Sequence, residues 1–197
     1  LDEVITPSGV LWFAYTQLSF WQAYNKELSS AFRETNYEPE LGVSFDTDFS
    51  VLGWRHRILS FGFAHQSNGR DEPLSRSWNR LWAGFLFERG NVAVLARPWW
   101  RVPESAEKDD NPDIEEYAGR GDIRAAYKHG EHVVSFLWRN NFRWEDNRSG
   151  LELDWSFPVG RNLKGLVQYY YGYGESLIDY NVRTNRIGIG LLVADWL

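Results

Sequence analysis

Leu59-Ser60-Phe61-Gly62-Phe63-Ala64-His65-Gln66-Ser67 alternates in a way that decides how the chain folds. Read as a strand, it places Leu59, Phe61, Phe63, His65 and Ser67 on one face and Ser60, Gly62, Ala64 and Gln66 on the other. A histidine and a serine then lie side by side at the end of an apolar stripe. If that stripe faces lipid, a nucleophile and its base sit on the outside of the protein, at the membrane. The substrate such a site could reach is the membrane itself.

The rest of the chain repeats the pattern. Among 197 residues, Trp 11, Tyr 10 and Phe 12 make up 17% aromatics, yet mean hydropathy is -0.48. Aromatic bulk without overall apolarity fits surfaces whose residues alternate. No stretch approaches the ~20 continuous apolar residues of a spanning helix. Transmembrane strands need only ~10 residues of alternating polarity, with aromatics at both interfaces. No signal-peptide pattern opens the chain, as expected of a mature or trimmed form. With no cysteine, disulfides, cysteine-ligated zinc and a thiol nucleophile are excluded; methionine is absent too, without a physical account. A net charge of -6 without a basic cluster argues against nucleic acid, and acidic loops could gather divalent cations.

Turn signals divide the chain into alternating runs and leave no convincing amphipathic helix. From Val10 to Tyr24, Leu11, Phe13, Tyr15, Gln17, Ser19 and Trp21 share a face, and Asn25 to Glu38 reads as a polar loop. Strands follow at Glu40 to Phe49, Arg55 to Gln66, Trp78 to Glu88, Val92 to Val102, Glu116 to Lys128, His132 to Phe142, Leu151 to Phe157, Leu163 to Tyr173 and Arg186 to Leu197. Short connections (Arg89–Asn91, His129–Glu131, Val159–Asn162) alternate with long charged ones, the rhythm of an outer-membrane barrel. About ten strands are recognisable, and Leu1 to Gly9 is too short to add two more. The expected fold is all-β, one antiparallel transmembrane β-barrel domain over residues 1–197. A soluble sandwich or lipocalin-like barrel is the competing fold. Inward sets such as Arg80, Trp82 and Glu88, or Arg120, Asp122 and Arg124, are too charged for a dry core.

A serine nucleophile needs a base within reach, and the base needs a third group to fix its tautomer. Asn79 shares the outward face at the start of the next strand, which an antiparallel partner would bring beside His65. Its carbonyl can accept the Nδ1 proton without placing a carboxylate at the lipid boundary. Taken alone, His65 and Ser67 are better read as polar residues where a strand leaves the bilayer, since such pairs are common.

His65-Gln66-Ser67-Asn68-Gly69-Arg70, followed by Ser75-Arg76-Ser77-Trp78-Asn79-Arg80-Leu81, resembles the catalytic block of the bacterial outer membrane phospholipase A family. Three further blocks agree, in order: Phe32-Arg33-Glu34-Thr35-Asn36-Tyr37-Glu38-Pro39, Asp109-Asp110-Asn111-Pro112-Asp113-Ile114, and Gly172 to Asn181. The resemblance implies a twelve-stranded barrel whose first two strands are missing or shortened here. It implies a calcium-dependent phospholipase with A1 and A2 activity, also acting on lysophospholipids, active as a homodimer in the bacterial outer membrane with its site toward the outer leaflet. Ser67 would be the nucleophile, His65 the general base and acid, and Asn79 the orienter, with Gly69 N–H and a calcium-bound water holding the oxyanion. Calcium (Ca2+) would be held by the Ser75 hydroxyl, the Arg70 carbonyl and a Ser29 carbonyl from the second copy, and in a second site by Glu72 and Asp110. Family aspartate and serine stand where Glu72 and Asp71 lie, so either acid could serve. Gln17, polar on a lipid-facing set, would meet its own copy across the dimer, or else sit harmlessly in the interfacial belt. Alternatives are a lipid A deacylase-type hydrolase, a non-catalytic outer-membrane pore and a soluble lipid carrier.

Overall fold

Ten long strands and one two-residue strand form a single antiparallel sheet, paired strictly in chain order, in the computed structural model of the chain. The structure describes residues 5–6, 9–27, 30–161 and 163–194. The strands are β1 (Ile5–Thr6), β2 (Gly9–Trp21), β3 (Phe32–Val51), β4 (Trp54–Ser67), β5 (Ser77–Arg89), β6 (Val92–Val102), β7 (Gly121–His129), β8 (His132–Asn140), β9 (Ser149–Gly160), β10 (Leu163–Gly172) and β11 (Thr184–Leu192). One five-residue helix, α1 (Ile114–Ala118), lies between β6 and β7. Tight turns join the strands at one end, where Leu52 and Gly53 both take positive φ between β3 and β4. Long loops gather at the other end.

Alternation sorts the side chains as the sequence implies, but with the polarity of a soluble protein reversed. Leu11, Phe13, Leu41, Phe61, Leu81 and Trp100 are exposed on the outer wall, while Glu34, Arg80, Arg101 and Asp122 are buried inside. A continuous exposed apolar wall of this kind is what lipid solvates and water does not. The sheet curls on itself. Arg97 on β6 reaches Glu40 on β3 at 2.9 Å, and Arg80 on β5 reaches Glu38 at 2.7 Å. Glu38, Arg80, Arg97, Arg124 and Arg139 line a central cavity of about 320 Å³. Paired charges inside explain how a barrel interior tolerates this polarity. Among the described residues no ladder joins β11 to β1 or β2, so the wall is open along that line.

The buried hydrophobic cluster inside lies at the loop end. Trp78, Trp82 and Trp99 meet Ile114 and Ala118 of α1 and Leu177 and Tyr180 of the β10–β11 loop. Gly62 makes room for this cluster: a Cβ there would fall 2.3 Å from Trp82 Cζ2. Trp78 is 2% exposed, packs edge-on to Trp99 and carries the Arg80 guanidinium 4.3 Å from its ring centroid. Its indole N–H donates to Gln66 Oε1 at 2.8 Å. Trp78→Ala is therefore expected to cost about 4 kcal/mol of stability, read from the urea midpoint of the chain refolded in lipid. A loss below about 1 kcal/mol would mean the plug is loosely packed.

The structure departs from the expected boundaries in four places. Phe32 to Glu38, read as loop, is the start of β3, because its polar Glu34, Asn36 and Glu38 point into a polar interior. Asn36 Oδ1 accepts the Leu177 N–H and Glu34 Oε1 the Ile178 N–H, so these side chains anchor the β10–β11 loop. Glu116 to Ala118, read as strand, is helical, and β7 begins only at Gly121. Ile5–Thr6 folds back on Gly9 and Val10 as a short hairpin. The last strand ends at Leu192, and Trp196-Leu197 lie outside the described residues.

Candidate active site

Two neighbouring strands, β4 and β5, bring the site together at the loop end of the outer wall. Asn79 on β5 is the direct cross-strand partner of His65 on β4, and Ser67 is that of Ser77. Direct partners share a face, so Ser67, His65 and Asn79 all point outward, above exposed Phe63, Phe61 and Leu81. His65 Nδ1 lies 2.9 Å from Asn79 Oδ1, and Asn79 Nδ2 donates to Glu104 Oε1 at 3.0 Å. The Ser67 hydroxyl makes no hydrogen bond among the described residues; it is near His65 through the shared face, with the ring's Nε2 left for it. Behind the site, inward-facing Gln66 and Trp78 are hydrogen-bonded to each other, and Ala64 is buried in the plug. The outer side chains thus stand on a rigid back layer.

The loop that follows Ser67 is stapled by Asn68. Its Oδ1 accepts the N–H groups of Arg70 and Arg76, and its Nδ2 donates to the Leu74 carbonyl at 2.9 Å. Gly69 takes φ +63, a conformation open to glycine, with Tyr37 packed 3.2 Å from where a Cβ would lie. Its N–H donates to nothing among the described residues and stands two residues from Ser67, suited to an oxyanion.

Oxygen donors gather where this loop meets the connection after β6. The Ser75 hydroxyl donates to Asp110 Oδ2, and the Glu72 carboxyl lies beside that of Asp110. Hydrogen bonding with Asp110, and then its charge, raise the Glu72 pKa above the usual carboxylate value. The Arg70 carbonyl accepts no hydrogen bond among the described residues, while its guanidinium is held by Glu34 and the Arg33 carbonyl. No three acidic or histidine side chains cluster among the described residues. Two carboxyls, a hydroxyl and an unengaged carbonyl are nonetheless hard oxygen donors of the kind calcium takes, with carbonyls and waters completing its shell. Asn111, fully buried, ties this region to the triad strand by accepting the Ser77 N–H at 2.9 Å.

The family model for phospholipase A1 matches residues 1–193. The chain belongs to the phospholipase A1 family. Phospholipase A1 of Escherichia coli K12 is 43% identical over 192 residues, 98% of this chain and 65% of that protein. The chain thus spans 65% of the length of such curated relatives. The solved structure of outer membrane phospholipase A from Escherichia coli, 43% identical, superposes with a TM-score of 0.91 over 99% of this chain and 79% of its own. A second structure of that protein, an active-site mutant with an asparagine replaced by alanine, matches at 0.90, with 43% identity over 98% of this chain and 73% of its own. The Salmonella typhi outer membrane phospholipase, solved as a dimer with bound calcium, is 42% identical with a TM-score of 0.90, over 99% of this chain and 74% of its own.

Within this phospholipase A1 fold the remaining candidates fall as follows. Gln17 is exposed on the outer wall of β2, between Tyr15 and Ser19, with long hydrogen bonds to both. Ser29 lies outside the described residues. Asp71 is exposed, and its carbonyl closes a turn with the Leu74 N–H. Sequence reasoning missed Asn68, Asn111 and Glu104. Only Glu104 carried a readable signal: it lies two residues past Val102, the cross-strand partner of Asn79, and so close to it.

Proposed function

We propose that this chain is a calcium-dependent outer-membrane phospholipase that hydrolyses acyl esters of phospholipids and lysophospholipids, at both the A1 and A2 positions. The observation that carries this reading is the outward-facing His65–Asn79 pair, 2.9 Å apart, beside Ser67 on an exposed apolar wall. A soluble hydrolase would bury its triad in a cleft; here the ester would arrive from the bilayer, with the acyl chain lying along Phe61, Phe63 and Leu81. Family membership and the neighbours' names support the same reading.

In this mechanism Ser67 Oγ attacks the ester carbonyl carbon while its proton passes to His65 Nε2. Asn79 Oδ1, accepting from Nδ1–H, holds the ring in that tautomer and offsets the charge it gains. The Gly69 N–H donates to the oxygen that becomes negative. The imidazolium then protonates the departing alkoxide, leaving an acyl-serine. Water, deprotonated by the same nitrogen, releases the fatty acid. The Ser75 hydroxyl and the Arg70 carbonyl would hold calcium at one site, where its chemistry when bound is to polarise a water beside that oxygen, and Asp110 with Glu72 or Asp71 would hold it at a second. The active state would be a homodimer, with Gln17 at its interface and Ser29 adding a ligand from the second copy. The site would face the outer leaflet.

Fatty-acid release from phospholipid in mixed micelles, with and without calcium and against lipopolysaccharide as the competing substrate, tests the proposal. Calcium-dependent release from phospholipid is expected. Release from lipopolysaccharide alone would replace the reading with a lipid A deacylase, and release from neither would remove the enzyme. Asn79→Ala should lower kcat about ten- to a hundredfold, since the ring loses its orienter but not its position. Unaltered turnover would mean another group orients His65.

A further inference from the structure

Asn79 has two partners, and the second has consequences for the first. An amide presents an oxygen and a nitrogen of nearly equal size, and either could face the histidine. If the NH2 faced His65, Nδ1 would have to accept, the ring proton would sit on Nε2, and no lone pair would be left for Ser67. Something must select the flip. A carboxylate only accepts, so Glu104 Oε1, 3.0 Å from Asn79 Nδ2, admits the NH2 and nothing else. With the NH2 held there, Oδ1 must face His65, Nδ1 must carry the proton, and Nε2 keeps its lone pair on the serine side.

Register brings Asn79 to the point where the chain leaves β6, and Glu104 stands in the first residues beyond that strand. His65, Asn79 and Val102 are direct partners across β4, β5 and β6. Glu104 follows Val102 by one strand period, with Pro103 fixing the backbone between them. Glu104 is half-buried, whereas Ser105, Ala106, Glu107 and Lys108 beyond it are exposed. Other acidic side chains of the barrel are paired with arginines, Glu38 with Arg80 and Asp109 with Arg101. Among the described residues Glu104 makes no ion pair; its bond goes to Asn79.

We infer that Glu104 is a positioning residue that fixes the Asn79 amide and, through it, the His65 tautomer. The inference rests on reading Ser67, His65 and Asn79 as a hydrolytic triad. Glu104 touches no reacting atom, and the triad extends laterally as serine and histidine on β4, asparagine on β5 and glutamate just past the end of β6.

The full chain in detergent–phospholipid micelles with calcium, compared with Glu104→Ala, Glu104→Gln, Asn79→Ala and the Glu104→Ala/Asn79→Ala double variant, provides the test. Glu104→Ala should lower kcat about tenfold with KM changed less than about twofold, the low end for loss of an orienting partner. Glu104→Gln, which keeps an accepting oxygen, should recover most of the loss. The double variant should be no slower than Asn79→Ala. Independently, imidazole 15N shifts of histidine-labelled chain, with His65 assigned by difference against His65→Ala, should show Nδ1–H in the parent and a mixture of tautomers in Glu104→Ala. A tautomer and kcat indifferent to Glu104→Ala, or losses that multiply in the double variant, would overturn the inference. An inactive parent would sink the phospholipase reading instead, and the 15N shifts would still decide for or against Glu104.

Discussion

Replacing Ser67 with alanine is expected to reduce fatty-acid release by on the order of 10⁴-fold or more, because no other hydroxyl can take its place at His65. Ser77, its cross-strand partner, is the nearest substitute by register, but it lies beside Ser67 and one period away from the imidazole. The variant should fold like the parent. Strand β4 keeps its ladders to β3 and β5, the backbone around residue 67 is extended, and the side chain is half-buried without a hydrogen bond among the described residues. Circular dichroism and heat-modifiable migration on gels should therefore not change. A folded Ser67→Ala chain that still releases fatty acid at more than about a hundredth of the parental rate would assign the nucleophile elsewhere.

How much of this could be read beforehand follows from which face carried the signal. On the outer wall, apolar side chains alternate with anything else, so β2, β4, β5 and β6 stand out in the sequence with nearly correct ends. The start of β3 does not. Its inward residues Glu34, Asn36 and Glu38 are polar because their partners are arginines and loop amides brought from far along the chain. Composition alone makes such a segment look like solvent-exposed loop. Helix α1 escaped for the opposite reason: five residues are too few to show a 3.6 period, and it is held by Ile114 and Ala118 packing under the β10–β11 loop. Tyr180, whose phenol is pushed up by burial and by its bond to Asp113, completes that contact.

The site divides in the same way. His65, Ser67 and Asn79 were legible because register and alternation put all three on one outward face, and both are local properties of strands. Asn68 and Asn111 were not, since their work is to hold loop backbone: Asn68 spans residues 70 to 76, and Asn111 reaches back 34 positions to Ser77. Nothing about an asparagine in a polar loop distinguishes a staple from a solvated side chain. Glu104 lies between these cases. It follows Val102 by two residues, but Pro103 ends β6 between them, so alternation does not carry its face across the break.

Removing calcium should have the second large effect, and it should reach stability as well as rate. Glu72 and Ser75 belong to the loop that begins at Ser67, whereas Asp110 belongs to the long connection after β6. Their meeting point joins the two loops that flank the triad, and the Glu72–Asp110 carboxyl pair is a like-charge contact that a divalent cation would relieve. Chelation is expected to lower turnover by roughly 10²- to 10³-fold, the usual cost of one lost oxyanion donor. Saturating calcium at about a hundred times its Kd should raise the unfolding free energy by about 2.7 kcal/mol. Asp110→Asn removes half of the carboxyl pair while keeping an oxygen near Ser75. It should therefore weaken calcium binding, followed by calorimetry, and shrink the calcium-dependent stability gain, yet leave the calcium-free chain no less stable than the parent. The sign of that last comparison discriminates. If Asp110→Asn destabilises the calcium-free chain, the Ser75–Asp110 and Glu72–Asp110 bonds are structural contacts in their own right, and the cation must be sought on other oxygens. If it does not, repulsion between two carboxyls is what the cation offsets, and the loop that presents Gly69 to the substrate is set by calcium before any ester arrives.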